Sequence, residues 1–306
     1  MANKKNPFAG TRKFWMVYLL ILPAFAFTFV FYYIPIMGLA TAFKDYNIMK
    51  GFWASPWAGS FGFANIVKLV NNKALIASVA NTVYLSVLNL LIGTPAPIIL
   101  ALLVNELRVG KFKKTVQTVS YMPFFLSWIT VVGLVVVFFG TYGPVNDVIN
   151  IFNPDRTRVL YLSEQKYFLP ILLGSNIWKT IGYNSIIYIS AISSIDPQLY
   201  EAATVDGAGK WKQMLHITFP GLSMTIIVLF VLNIGGLLAS NFELVYGLVN
   251  PYINFEVIDT VIYKQGLLGR NYSMGTALGF TRGVIALALV LGVNYISRKI
   301  YKISIL

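Results

Sequence analysis

The stretch Glu201-Ala202-Ala203-Thr204-Val205-Asp206-Gly207-Ala208, running on through Trp211 and Leu215 to Pro220, is a polar interruption between two strongly apolar segments. Pro197 sits where a helix can start, Gln198 to Val205 is built of good helix formers, and Glu201 lies near the positive end of the helix dipole. Asp206-Gly207 reads as a stop and turn. From Ala208 the apolar positions 208, 211, 214, 215 and 219 recur at spacings of three and four, which predicts a second, amphipathic helix that ends at Pro220. Two short helices joined at a glycine form a protruding knob whose apolar stripe and acidic residue suit a docking partner. Periodicity alone fits equally well a re-entry loop lying on the membrane surface, with Trp211 at the interface.

Outward from this knob the chain is very apolar. Its 306 residues are 57% hydrophobic, 15% aromatic and only 11% charged, against about 25% charged for a soluble domain. A hydrocarbon core about 30 Å thick needs roughly 20 mostly apolar residues in a helix. Six segments meet that demand: Phe14 to Thr41, Leu75 to Val104, Val119 to Phe139, Phe168 to Ile192, Leu222 to Asn241 and Ser273 to Ile296. The first is far longer than the 7 to 15 apolar residues of a cleavable signal and is read as a retained anchor. The fold class is therefore an all-α membrane protein with six transmembrane helices. Residues 14–296 form one membrane domain, with cytoplasmic segments at 1–13 and 297–306 and the knob within 193–221.

Six crossings put both termini on one side. The segments on that side carry thirteen Lys and Arg, against nine in three longer opposing loops, so the positive-inside rule places both termini and the knob in the cytoplasm. The same count explains the net charge of +13 without nucleic acid. Lys179 and Arg282 are the two basic residues inside spans. Cysteine is absent, so disulfides and thiol chemistry are excluded, and with a single histidine a metal site of the usual ligand type is not expected.

Several function classes lose support. A P-loop needs GxxxxGK[ST], and the nearest approach, Ala208-Gly209-Lys210-Trp211, has Thr204 in place of the first glycine and Trp in place of the hydroxyl. All eleven Asp and Glu fall outside the six spans, so no proton-relay carboxylate is evident. Paired half-repeats, which an ion-gradient-driven secondary transporter of a sugar or other polar solute would show, are not found. No polar cluster suits a membrane enzyme.

The fourth span is the exception among the apolar helices. Asn176, Trp178, Lys179, Thr180, Tyr183 and Asn184 cluster there, and positions 176, 179, 180 and 183 are assigned to one face as a pore lining. Lys179 points either to an anionic or strongly hydrogen-bonding cargo or to pairing with a neighbouring subunit. Arg282 is assigned to a subunit interface or the external mouth. On the fifth span Asn233, Ser240 and Asn241 are candidates for binding cargo hydroxyls or for helix-to-helix hydrogen bonds. The Trp and Tyr of the external loops fit an interfacial aromatic belt.

The run EAATVDGAGKWKQMLHITFP resembles the EAA motif of permease subunits in binding-protein-dependent ABC importers, with Glu201, Ala202, Ala203, Asp206, Gly207, Ala208 and Pro220 at matching positions. Phe219 stands where Leu is commoner. The run FYYIPIMGLATAFKDYN at Phe31 to Asn47 is similar to the LplB-like branch of carbohydrate permeases, related to the maltose and glycerol-phosphate permeases. The resemblance implies a type I importer fold in the bacterial inner membrane. It implies a second homologous permease, a cytoplasmic ATPase dimer that binds ATP and Mg, and an extracytoplasmic solute-binding protein that delivers an oligosaccharide. The chain itself would hold no cofactor. Glu201, Ala202, Ala203, Asp206, Gly207, Ala208, Trp211 and Leu215 would couple to the ATPase, and Asn176, Lys179, Thr180, Tyr183, Asn233 and Asn241 would lie on the substrate path.

Overall fold

The computed structural model describes residues 14–107, 110–234, 236 and 238–301; the cytoplasmic segment expected at 1–13 and residues 302–306 lie outside the described residues. Among the described residues the chain is helical, with one isolated bridge between Lys44 and Trp57. The helices are α1 (Trp15–Phe43), α2 (Ala64–Asn71), α3 (Lys73–Glu106), α4 (Lys111–Tyr121), α5 (Trp128–Phe139) and α6 (Pro144–Phe152). They continue as α7 (Gln165–Ser193), α8 (Pro197–Val205), α9 (Lys210–Ile234), α10 (Phe242–Leu248), α11 (Ile258–Val261 running on into Ile262–Leu268) and α12 (Tyr272–Tyr301).

Among the described residues five stretches are long and apolar enough to cross a membrane: Trp15–Phe43, Lys73–Glu106, Trp128–Phe152, Lys210–Ile234 and Tyr272–Tyr295. The helix at the fourth expected span, α7, is 29 residues long. Its amides, lysine and hydroxyls lower its hydropathy and set it apart from those five.

Three of these helices share a device. In α1 a π turn at Phe29–Tyr33 precedes Pro35, in α3 one at Asn89–Gly93 precedes Pro95, and in α9 one at Met214–Thr218 precedes Pro220. A proline inside a helix lacks the N–H and presses its ring against the carbonyl four residues back. The wider turn relieves that clash, so the helix continues. This corrects the reading of Pro220 as a helix end: α9 runs unbroken from Lys210 to Ile234 and joins the knob directly to the fifth span.

The third span differs in the opposite sense. No helix runs from Val119 to Phe139; α4 stops at Tyr121, a tight turn with Pro123 follows, and α5 starts afresh at Trp128. Ser127 caps α5 by accepting from the Thr130 N–H at 3.1 Å. The fifth span is helical through Ile234, and residues 239–241 lie outside the helix.

The core lies in three patches. α5, α7, α10 and the loops around Tyr161 and Phe255 enclose the largest, which includes Leu85, Val131, Leu172 and Leu244. The end of α1 packs with α2, the start of α3, α11 and α12 around Leu69, Leu75, Ile258 and Leu278. α3, α7 and α9 meet at Ile98, Ala101, Tyr188, Ile192 and Leu222, next to the knob. In contrast, Trp15–Thr28 of α1 buries no residue within this chain.

Candidate functional site

The knob is α8, its exit turn and the start of α9. Asp196 caps α8 by accepting from the Gln198 N–H at 3.0 Å, and Pro197 occupies the first helical position. At the other end the Gly207 N–H donates to the Thr204 carbonyl (3.1 Å) and the Ala208 N–H to the Ala203 carbonyl (2.8 Å). That pair of bonds is a Schellman motif, with Gly207 at φ +77° in the left-handed region where a side chain is strained. The spacing from Ala203 through Gly207 to Ala208 is thus a helix stop written in backbone geometry.

Two side-chain clamps hold α8 against α9. Gln213, 7% exposed, donates to the Thr204 hydroxyl and the Ala208 carbonyl, both at 3.0 Å. Tyr200 and Thr218 share a hydrogen bond of 3.0 Å between their hydroxyls. Lys210 reaches Glu106 at the end of α3 (3.7 Å), and Ile195 fills the space beside Gly221. Outward, Glu201, Ala202, Asp206 and Gly207 are exposed, and so are Trp211 (73%) and Leu215 (58%), while Ala203 and Ala208 are half-buried. The knob is clamped from within and presents Glu201, Asp206, Trp211 and Leu215 outward.

A polar cavity of about 380 Å³ lies between α3, α7 and α9. α7 lines it with Asn176, Thr180, Asn184 and Ile187, α3 with Ser86, Asn89 and Thr94, and α9 with Asn233. Asn176 donates to the Asn89 side chain at 3.1 Å, and Thr180 donates to the Asn176 carbonyl at 2.8 Å. Amides able to both donate and accept suit a neutral ligand rich in hydroxyls. Asn89 opens the π turn of α3, a distortion common at functional sites. Sequence reading missed Asn89; an Asn four residues ahead of Gly93 and six ahead of Pro95 in an apolar span was the available signal.

Lys179, Tyr183 and Asn241, assigned to the same path, are not among the residues lining this cavity. At about 100° per residue 176, 180, 184 and 187 span an arc of about 80°; 179 lies about 60° outside it, while 183 lies only about 20° outside, at its edge, and is drawn from the cavity by packing. Lys179 is buried, donates to the Phe124 carbonyl at 2.6 Å and sits over the rings of Phe124 (5.0 Å) and Trp128 (4.7 Å). Tyr183 stacks on Phe124 at 3.8 Å with the planes 5° apart. Asn241 caps α10 through the Leu244 N–H at 3.2 Å. Trp178 faces a separate apolar cavity of about 710 Å³ between α5 and α7.

Arg282, expected at an interface or mouth, pairs within the chain with Asp259 of α11. The second oxygen of Asp259 accepts from the Ser240 N–H (3.1 Å) and hydroxyl (2.6 Å). This set ties the segment after α9 to α11 and α12.

The family described as binding-protein-dependent transport system inner membrane component matches residues 93–303, which include the knob and the α7 and α9 walls of the cavity. The chain belongs to this family. The permease is 38% identical to Protein LplB of Bacillus subtilis over 286 residues, spanning 92% of this chain and 88% of the relative. It is 39% identical, with the same coverage, to the polygalacturonan/rhamnogalacturonan transport system permease protein YteP of that organism. A solved bacterial alginate ABC transporter, in complex with an alginate pentasaccharide-bound periplasmic protein, superposes at TM-score 0.88 with 38% identity, covering 98% of this permease and 100% of that chain. A second structure of a bacterial ABC transporter involved in alginate import superposes at 0.86 with 40% identity, covering 95% of this permease and 98% of that chain. The permease is a transport subunit of the inner membrane with the type I ABC permease fold, and hydrolysis of ATP resides in a separate subunit.

Proposed function

We propose that the cargo of this permease is an oligosaccharide, a fragment of a larger polysaccharide or glycan, and that it crosses through the amide-lined cavity between α3, α7 and α9. The observation that carries the reading is the convergence of Asn89, Asn176, Thr180, Asn184 and Asn233 on one cavity in an otherwise apolar membrane domain. Amides and hydroxyls meet sugar hydroxyls in both donor and acceptor roles and add no net charge. The names of relatives that move polygalacturonan, rhamnogalacturonan and alginate support the class.

In this reading α7 is the remaining membrane crossing, the six crossings leave both termini in the cytoplasm, and the knob stands on the cytoplasmic side. A second homologous permease completes the pathway, a periplasmic binding protein delivers the sugar, and an ATPase dimer carrying ATP and Mg grips the knob. Glu201, Ala202, Ala203, Asp206, Gly207, Ala208, Trp211 and Leu215 form the gripped surface. Closure of the ATPase dimer moves the knob as a rigid body, and α9, continuous across Pro220, carries that movement to the wall that holds Asn233. α7 carries it from the other side through Asn176 and Thr180.

The test is reconstitution with both companion subunits and measurement of binding-protein-dependent ATP hydrolysis across neutral and acidic oligosaccharides. Stimulation by at least one saccharide supports the reading. Stimulation confined to non-sugar solutes contradicts it.

A further inference from the structure

A third cavity, of about 390 Å³, lies between α10, α11 and α12, and its walls are unlike those of the amide-lined one. Phe242, Tyr263 and Tyr272 supply aromatic surface, and Asp259 and Thr276 supply polar atoms. Phe242 and Tyr263 belong to one ring cluster with Tyr246, with centroids 5.1 to 5.3 Å apart. The walls are braced. Gly266 and Gly275 bring α11 and α12 so close that a Cβ on Gly275 would stand 2.7 Å from the Gly266 Cα. The Asp259 charge is balanced by Arg282, and its oxygens together accept three bonds, from Arg282 and twice from Ser240. A carboxylate offers about four acceptor positions, more than these three bonds use, and Asp259 lines the cavity.

The two cavities share one short segment. Gly236 and Ala239 line the amide cavity, Ser240 bonds Asp259, and Phe242 lines the aromatic cavity. Three residues of chain span at most about 11 Å, so the walls at Ala239 and Phe242 are close neighbours.

We propose that this aromatic cavity is a second saccharide subsite that takes a pyranose ring of a chain whose leading end occupies the amide cavity. A pyranose has apolar C–H faces and a rim of hydroxyls. Rings such as Phe242 and Tyr263 cover the face, while Asp259 and Thr276 meet the rim. The aromatic subsite therefore selects for length, and short saccharides bypass it. The inference rests on the oligosaccharide reading above.

The experiment uses the complete transporter in proteoliposomes with its binding protein, and compares uptake of a disaccharide with that of a tetrasaccharide or longer chain of the same sugar. Tyr263→Leu and Phe242→Leu should lower long-chain uptake about tenfold and change disaccharide uptake less than twofold; Tyr263→Phe should restore the long chain. Asn233→Leu, in the amide cavity, should depress both. Because this chain has no cysteine, Thr276→Cys gives it a single label site, and the long oligosaccharide but not the disaccharide should protect this chain from a maleimide. Equal losses for both lengths in the leucine variants, or no protection of the cysteine, overturns the subsite. Failure of the wild-type transporter to take up either saccharide instead overturns the oligosaccharide reading itself.

Discussion

The Lys179 ammonium donates to the Phe124 carbonyl at 2.6 Å and so ties the middle of α7 to the corner between α4 and α5. The rings of Phe124 and Trp128 flank the same cation, and Tyr183 stacks on Phe124 one turn further along α7. Lys179 is thus a brace between helices. Lys179→Met leaves the part-buried Phe124 carbonyl without its donor, a loss of about 1 kcal/mol. Thermal unfolding in detergent should show the lower midpoint, while the ratio of acidic to neutral cargo uptake stays unchanged. A changed ratio would return Lys179 to the substrate path.

The same corner constrains Gly182. A Cβ there would meet the Ser120 carbonyl oxygen at 1.9 Å, whereas one on Gly174, two turns earlier in α7, would meet nothing within 4 Å. Gly182→Ala should destabilise by about 3 kcal/mol or more, since backbone must move. Gly174→Ala should be neutral or gain up to about 1 kcal/mol from helix propensity. Comparable unfolding of the two variants would contradict this packing.

The amide cavity separates residues that look alike in sequence. Asn184→Leu and Asn233→Leu each remove one cargo hydrogen bond of about 1.4 kcal/mol, so binding-protein-dependent uptake should fall roughly tenfold. Asn241→Ala removes only the cap of α10, with about 1 kcal/mol of stability lost and uptake retained. Uptake assays paired with unfolding midpoints distinguish the outcomes.

Arg282 and Asp259 are partly buried, at 25% and 17% side-chain exposure. Arg282→Met strands the Asp259 carboxylate and should cost about 2 kcal/mol, below the cost of breaking a fully buried pair because some water reaches it. Adding Asp259→Asn should recover much of that loss. A double variant less stable than Arg282→Met would show that the pair does not act through charge balance.

The knob was legible in sequence because its signals are local: Pro197, Asp206 and Gly207 specify a helix start, a turn and a left-handed residue within eleven positions. The polar cluster of α7 was legible as a cluster, but its face was not. Residues 179, 180 and 183 differ by a rotation of the helix that only packing decides, and the Phe124 corner decided it. Pro123 and Ser127 signalled the break between α4 and α5, a signal submerged by the apolar run around them. Pro220 was misread because a proline normally ends a helix, and the compensating π turn leaves no mark in composition. Asn89 was missed as a site residue because its partner Asn176 lies 87 positions away, and an Asn ahead of Gly93 and Pro95 does not by itself mark a site.

The central claim is that a neighbouring ATPase grips the knob, and co-purification of that ATPase with Glu201→Lys and Gly207→Pro permeases tests it most directly. Proline cannot adopt the Gly207 φ of +77° and removes the N–H that bonds Thr204, while the lysine reverses an exposed charge. The account predicts that both variants insert in the membrane and pair with the second permease, yet retain less than about a tenth of the bound ATPase, a loss of roughly 1.4 kcal/mol or more. Undiminished ATPase binding by both would contradict it.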